Sequence, residues 1–373
     1  MKKIMISAGE VSGDVHGSYL VNEIKKLAPD AYIFGMGSER LKASGADIKL
    51  DISKRGTVGL VEVLPNAIPI LFNLRKMVKL MDQEKPDMLI LIDSQGFNVP
   101  LAREAKKRGI KTVYYIAPQE WLWGTKKGMK KVADCTDQII AIWQKEADLY
   151  RDAGANVDYF GHPLLDIVKT TMDKPAFCKK YNLKENDPII AVCPGSRTQE
   201  IYGLLPIFLE ACEIIHKQVP KAQFIIPAAS TYIIKQIFKV INGYKATAVI
   251  GSTHDIVGHA DLAMAASGTI NLEACILGTP NIMVYKLHPL TYWIGKNVLK
   301  IGEKMNFFSM PNILCNEEII PELIQDNANP DSIAKTAMGL LDSEGFQRHN
   351  LGRVKQHLGA PPVISRIAMS ILE

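Results

Sequence analysis

Residues Ile189–Tyr202 read IIAVCPGSRTQEIY. Ile189, Ile190, Ala191, Val192 and Cys193 make an apolar run of the kind found in strands buried on both faces of a parallel sheet. Pro194-Gly195-Ser196 then imposes a tight turn, and helical spacing resumes from Thr198 through Glu210. A strand that enters a helix through so short a turn leaves several backbone N–H groups unpaired at the helix start. Together with the helix dipole, those groups make a site for an anion. Arg197 stands in the turn, where its guanidinium can fork onto a diphosphate. The same residues also fit a plain β–α turn with a solvated arginine, so the rest of the chain has to decide between the two.

Working outward, the strand–turn–helix cycle recurs on both sides. Towards the N-terminus, Lys2–Ser7 reads as a strand, residues 8–14 (AGEVSGD) as a glycine-containing turn and Val15–Leu27 as a helix. The turn lacks G-x-G-x-x-G, so a dinucleotide fingerprint is not supported. Ala31–Gly37 reads as a second strand, with Ser38–Ala43 starting a short helix. Asp87–Asp93 (DMLILID) is a buried strand ending in a carboxylate. Ligands of open α/β sheets sit beyond the carboxyl ends of the strands, so Asp93 is a candidate for chemistry. A loop over Ser94–Asn98 and a helix over Val99–Arg108 follow. Thr112–Ala117 leads into PQEWLWGTKKG (Pro118–Gly128), where Trp121 and Trp123 lie beside Lys126, Lys127, Lys130 and Lys131. These residues fit an aromatic platform with a phosphate clamp, or equally a hydrophobic anchor and a solvated helix face. Gln138–Trp143 and Val157–Phe160 complete a first sheet, and Gly161-His162-Pro163 marks the exit.

Towards the C-terminus, strands are expected at Gln223–Pro227, Thr247–Gly251, Leu262–Ala266 and Asn281–Tyr285, with helices between them. Two or three helices close the chain beyond Glu317, one of them (Ser332–Leu341) amphipathic. Ser267-Gly268-Thr269 is a second small-residue turn into a helix, so two helix N-termini are available to one diphosphate. Glu273 on that helix is a candidate for ribose hydroxyls or an ordinary surface carboxylate, and Glu200 fits dipole complementation equally well. The expected fold is α/β, two Rossmann-like domains facing across a cleft. Residues 1–163 form the first domain and 164–344 the second. Residues 345–373 are terminal helices that pack back on the first domain or on a partner subunit.

Composition narrows the function classes. The 373 residues are 47% hydrophobic and 22% charged, an ordinary globular balance. Lys and Arg exceed Asp and Glu by 44 − 39 = 5, a mild bias that falls short of a nucleic-acid-binding face. The six cysteines show no C-x-x-C or Cys/His ligand spacing, so neither structural zinc nor a dithiol redox site is supported, and buried reduced thiols are expected. There is no Asp-x-Asp triplet to chelate a metal with the diphosphate. Arg197 and the helix dipoles would have to neutralise the leaving group without metal or cofactor. MKKIMISAGE reads as a first strand rather than a signal peptide, and no apolar run reaches membrane-spanning length. Gly59–Met81 is apolar on almost every face, with Arg75, Lys76 and Lys79 near its end, and Pro65 and Pro69 should break or kink it. It fits a core helix flanking the sheet, or a lip that dips into a lipid interface through Val61, Val63, Leu64, Ile68, Leu71 and Phe72.

Eight segments in order carry a family likeness: AGEVSGD (8–14), VGLVEVL (58–64), LIDSQGFN (91–98), APQEWLWG (117–124), GHPLLD (161–166), PGSRTQEI (194–201), ASGTINLE (266–273) and SMPNIL (309–314). On these the chain resembles the lipid-A-disaccharide synthases, glycosyltransferases of the GT-B class (family 19), along nearly its whole length. The resemblance implies an inverting transfer of 2,3-diacylglucosamine from UDP-diacylglucosamine to diacylglucosamine 1-phosphate. The products would be a β-1,6-linked disaccharide 1-phosphate and UDP. It implies no nucleic-acid partner, a cytoplasmic protein held peripherally on the inner face of the cytoplasmic membrane, and a possible homodimer. By position it makes Asp93 the general base and Arg197 the diphosphate arginine. It also places Glu10, Ser12, Glu273 and Asn312 in the cleft. With the turns and the tryptophan segment read above, Gly195, Ser196, Glu200, Ser267, Gly268, Thr269, Glu273 and Asn312 are expected as UDP contacts, and Glu10, Ser12, Gly13, Trp121, Trp123 and Lys127 as contacts to the acceptor or sugar. The chain departs from the pattern at Gly96, where family members often carry a second acid, and at Gly124, where they often carry arginine. A UDP-N-acetylglucosamine 2-epimerase-like isomerase and a catalytically silent UDP-sugar-binding protein are the alternatives. Dependence on lipid or detergent separates the isomerase; UDP release from acylated substrates separates the binding protein.

Overall fold

The computed structural model describes residues 2–51, 63–123, 125–287, 306–342 and 346–373. It divides into two compact units, one of residues 1–167 with 358–373 and the other of residues 168–357.

In the first unit seven strands form one sheet. They are β1 (Lys3–Ala8), β2 (Tyr32–Gly37), β3 (Asp47–Asp51), β4 (Met88–Ile92), β5 (Lys111–Tyr115), β6 (Gln138–Ala141) and β7 (Val157–Tyr159). Every pairing is parallel and the order is β3-β2-β1-β4-β5-β6-β7. Between the strands run α1 (Val11–Leu27), α2 (Glu39–Ala43), α3 (Val63–Glu84), α4 (Gln95–Lys107), α5 (Glu120–Trp123), α6 (Lys126–Ala133) and α7 (Gln144–Asp152), with α8 (Leu164–Ile167) after β7. The second unit begins with α9 (Lys174–Tyr181) and alternates β8 (Ile189–Cys193), α10 (Thr198–Gln218), β9 (Gln223–Ala228), α11 (Thr231–Val240), β10 (Thr247–Ile250), α12 (Thr253–His259), β11 (Leu262–Ala266), α13 (Thr269–Leu277) and β12 (Asn281–Tyr285). It continues with α14 (Met310–Cys315), β13 (Glu322–Ile324), α15 (Pro330–Asp342) and α16 (Phe346–His357); α17 (Ile364–Leu372) returns to the first unit. The second sheet is also parallel throughout, in the order β10-β9-β8-β11-β12-β13.

Parallel strands need crossovers, and helices on both faces leave the central strands no polar side. Hence β4 (MLILI), β8 (IIAVC) and β11 (LAMAA) are buried at every residue. One device recurs at the opposite, N-terminal ends of the strands. The aspartate just before β4, β6 or β11 accepts the backbone N–H of a neighbouring strand: Asp87 from Lys3 at 2.6 Å, Asp137 from Thr112 at 2.8 Å and Asp261 from Ile189 at 2.8 Å. Each bond gives an otherwise orphaned N–H a charged acceptor and holds the strand register from below.

The order of strands matters for function. In the first sheet the chain winds outward from β1 one way and from β4 the other; in the second it does so from β8 and from β11. These reversals are the topological switch points, where the loops leaving adjacent strands part and open a crevice.

Several expectations need correction. The unit boundary falls after Ile167 rather than after Pro163, and the terminal segment divides, α16 going to the second unit and residues 358–373 to the first. There α17 packs on α1 and buries Ile364, Ile367, Ala368 and Ile371. Asp166 of the GHPLLD segment accepts the N–H groups of Val363 and Ile364 at 2.8 and 2.7 Å, capping that helix. Helix α3 runs through both prolines: Pro65 lies in the first turn, where no N–H is needed, and Pro69 forgoes one bond. Helix α4 begins at Gln95, inside the expected loop. Strands β3 and β13 were not foreseen. All six cysteines are free thiols, five of them buried.

Candidate active site

The β1/β4 switch point of the first unit is built from the turn after β1 and the turn after β4. Gly9 has no side chain because Ser94 stands where one would be: a Cβ on Gly9 would lie 2.5 Å from the Ser94 hydroxyl oxygen. The two turns therefore touch. Asp93 follows β4 directly, in the left-handed region at φ 51°. Its carboxyl is half-buried, and burial raises its pKa; hydrogen bonds from the Ser94 N–H and the Ser12 hydroxyl oppose that rise. Such a carboxyl is a better proton acceptor than a solvated aspartate, provided it is ionised. Ser12 thus reaches Asp93, and Glu10 is exposed on the same turn. Gly13 is buried between Ala8 and Ile92, a contact between α1 and the sheet rather than a sugar contact. Asp14, another member of the AGEVSGD segment, caps α2 by accepting the N–H groups of Ser38 and Arg40 at 2.6 and 3.1 Å.

The loop after β5 is tied to this turn through Glu120. Its carboxylate accepts from the Gln95 side chain and from the Thr125 N–H, the latter at 3.0 Å. Thr125 in turn caps α6 by accepting from Gly128 at 3.0 Å. The Trp121 ring is half-buried, 6.2 Å from Trp143, with the Lys145 ammonium 5.8 Å from its centre. This placement fits the hydrophobic anchor, one of the two readings that the sequence left open. The Trp123 side chain lies outside the described residues. Lys126 and Lys127 are exposed in the first turn of α6, where positive charge opposes the helix dipole. Cations in that position suit an anionic ligand better than they suit the helix.

In the second unit the β8/β11 switch point carries the two turns expected to hold the diphosphate. Gly195 takes φ 112°, and a Cβ there would fall 2.2 Å from a carboxylate oxygen of Glu200. That carboxylate already occupies the donors of the turn. Its Oε2 accepts from the N–H groups of Ser196 and Arg197 at 2.9 and 3.1 Å, and its Oε1 lies 3.3 Å from Arg197 Nη1. Glu200 is therefore at the site as an occupant of the anion hollow, the reverse of a phosphate contact. Ser196 and the Arg197 side chain are exposed, and so are Gly268 and Thr269 at the start of α13, with Ser267 half-buried beside them. Asn271 holds that second turn by donating to Ala266 at 2.9 Å. Glu273 is largely buried and pairs with His254 at 3.3 Å. Burial pushes the Cys193 thiol at the end of β8 up to about 12, the Glu273 charge adding to it. Tyr285, ending β12, has its phenol pKa raised by burial; the Glu200 charge raises it further while that of Arg197 opposes.

Asn312 has no role left to play towards a ligand. It is fully buried, its amide donates to Ile320 O and Glu322 at 2.9 and 2.8 Å, and its oxygen accepts from the N–H groups of Ile319 and Ile320. With Glu322, which also accepts from Ser309, it locks the SMPNIL segment in place. In the apolar stretch Val61 lies outside the described residues, as do the side chains of Val63, Leu64 and Ile68. Leu71 and Phe72 are each 55% exposed and Ile70 37%. The Lys76 ammonium sits 4.5 Å over the Phe72 ring, and Arg75 and Lys79 are exposed. Among the described residues no helix is long and apolar enough to cross a membrane. Sequence reasoning passed over Asn98, Glu120 and His254, whose partners Ser7, Gln95 and Glu273 are distant in the chain.

A family model described as lipid-A-disaccharide synthetase matches residues 4–358. The lipid-A-disaccharide synthase of Syntrophus aciditrophicus is 37% identical over 379 residues, covering 100% of this chain and 97% of the relative. That of Persephonella marina is 38% identical over 387 residues, covering 100% and 99%. Among solved structures, the UDP-GlcNAc 2-epimerase of Neisseria meningitidis bound to UDP-GlcNAc superposes with a TM-score of 0.69 at 13% identity, covering 100% of both chains. That likeness concerns the fold, the two-Rossmann architecture of the GT-B class.

Proposed function

The chain belongs to the lipid-A-disaccharide synthetase family, and on that premise we propose which substrates it joins and which side chains do the work. It is a glycosyltransferase of lipid A biosynthesis. The donor is UDP-2,3-diacylglucosamine and the acceptor 2,3-diacylglucosamine 1-phosphate; the product is the β-1,6-linked disaccharide 1-phosphate, with UDP released. The epimerase alternative rests on fold alone, at 13% identity, and gives way to the family.

Asp93 draws the proton from the acceptor 6-hydroxyl as that oxygen attacks the anomeric carbon from the face opposite UDP. One displacement gives inversion. The observation that carries this assignment is a carboxyl of raised pKa at a switch point, hydrogen-bonded by Ser12 and Ser94. Charge building on the leaving diphosphate is met by the Arg197 guanidinium and by the N–H groups that open α10 and α13. Glu273, held by His254, takes the ribose hydroxyls. Lys126 and Lys127, with the N-terminus of α6, take the acceptor phosphate. Ile70, Leu71 and Phe72, fringed by Arg75, Lys76 and Lys79, rest on an anionic lipid surface, which suits substrates that carry acyl chains.

Mass spectrometry of the product made from defined donor and acceptor tests the reaction. In the same assay Asp93→Ala should lose turnover by about a hundredfold or more, the usual scale for a general base, with UDP affinity unchanged. A variant within tenfold of the parent would remove Asp93 from the base role.

A further inference from the structure

The turn that aims Asp93 runs against the preferences of its own residues. Asp93 and the following Ser94 both take positive φ, 51° and 49°, and so does Ile116 beside them at 58°. None is glycine, and side chains disfavour this region. Such a conformation persists only where the surroundings over-determine it. Here they do. The Asp93 N–H donates to the Ile116 carbonyl at 3.2 Å. The Asp93 carbonyl accepts from the Asn98 side-chain amide at 2.7 Å and from the Tyr114 phenol at 2.8 Å. The same Asn98 amide donates to the Ile92 carbonyl at 3.0 Å, and its oxygen accepts the Ser7 hydroxyl at 2.7 Å. Ser7, Asn98 and Tyr114 have no exposed surface, so no substrate reaches them, whereas the Asp93 carboxyl keeps part of its surface open.

We propose that Asn98 and Tyr114, braced by Ser7, are positioning residues that clamp the backbone of Asp93 in its left-handed turn and so aim its carboxylate at the acceptor hydroxyl. This rests on the reading of Asp93 as the base. Backbone pairing in a packed core satisfies buried groups in any protein; what marks this set is its convergence on one carbonyl in a disfavoured turn beside the reacting group. General-base catalysis requires the acceptor atom within hydrogen-bond reach of the proton it removes, and small displacements are costly.

The test is Tyr114→Phe, which deletes one hydroxyl and keeps the ring, with Asn98→Ala as the more severe variant. For each, kcat, both KM values, the pH profile of kcat, UDP affinity and the melting temperature are measured beside the parent and Asp93→Asn. Tyr114→Phe should lower kcat roughly tenfold through misplacement, with both KM values and UDP affinity within twofold. Its acidic limb should move to lower pH as the carboxylate becomes better solvated. A melting temperature that falls while kcat and the pH profile stay at parental values in Tyr114→Phe would overturn the proposal, leaving these bonds purely structural. Should Asn98→Ala not fold, Tyr114→Phe decides alone. If Asp93→Asn itself turns over normally, the base reading fails and takes this proposal with it; if Asp93→Asn is dead and Tyr114→Phe fully active, only the clamp is refuted.

Discussion

Replacing Glu200 with glutamine should tighten the hold of the second unit on UDP. The Glu200 carboxylate bonds the Ser196 and Arg197 N–H groups at 2.9 and 3.1 Å and lies 3.3 Å from the Arg197 guanidinium. A diphosphate seeking those donors must either displace this charge or settle beside it. Two like charges about 5 Å apart repel by roughly 1–3 kcal/mol for an effective dielectric between that of water and about 20. The Arg197 side chain is 65% exposed, so solvent and salt discount the figure to about 1 kcal/mol, near fivefold in Kd. Glutamine at the same position still closes the capping box that starts α10, because either residue can accept from the N-cap backbone. Charge is then removed while the turn is kept. Titration calorimetry with UDP should give a Kd about fivefold lower for Glu200→Gln than for the parent, with the gap narrowing as salt is raised. Weaker UDP binding by Glu200→Gln would refute the reasoning, since it would mean that the carboxylate supports the phosphates instead of standing in for them.

Gly9→Ala should drive a methyl group into Ser94 and shift the turn that carries Asp93; kcat is expected to fall more than tenfold while UDP affinity is kept, read by initial rates and calorimetry. Glu146 has no exposed surface, and burial raises its carboxyl from 4.5 to about 8. The folded protein thus holds an extra proton between those values, so this stabilising contribution is complete below pH 4.5 and is lost as pH rises through 8. It amounts to something on the order of 5 kcal/mol, and Glu146→Gln should flatten the fall in melting temperature between pH 6 and pH 9. Leu71→Ser with Phe72→Ser should weaken sedimentation with anionic vesicles about thirtyfold, from roughly 2 kcal/mol of lost apolar burial; unchanged binding would exclude this patch as the membrane contact.

Much of the scaffold could be read from the residues because central parallel strands announce themselves. Leu262–Ala266 and Asn281–Tyr285 match their expected bounds, being short apolar runs preceded by Asp261 or Pro280. The strands that escaped, DIKLD at β3 and ELI at β13, are the outermost members of their sheets. An edge strand buries one flank only and carries charge, so it lacks the continuous apolar signal. The candidate site was legible in position and less so in role. Strand ends and small-residue turns locate Asp93, Arg197 and Thr269, but nothing local to Asn312 tells that its amide is spent on Ile319, Ile320 and Glu322. Nor does the spacing of Arg197 and Glu200 tell that the acid folds back onto the amides meant for a ligand. Polar groups find partners across long stretches of chain, and that pairing is a property of the fold.

The placement of α17 has a consequence for biosynthesis. Its apolar face covers α1, and its N-terminus is held by Asp166, yet the whole second unit is translated in between. On the ribosome, β1–β7 emerge early and then wait with α1 short of its final cover until α17 follows. A chain stopped at residue 357 would therefore carry its defect in the half that was synthesised first.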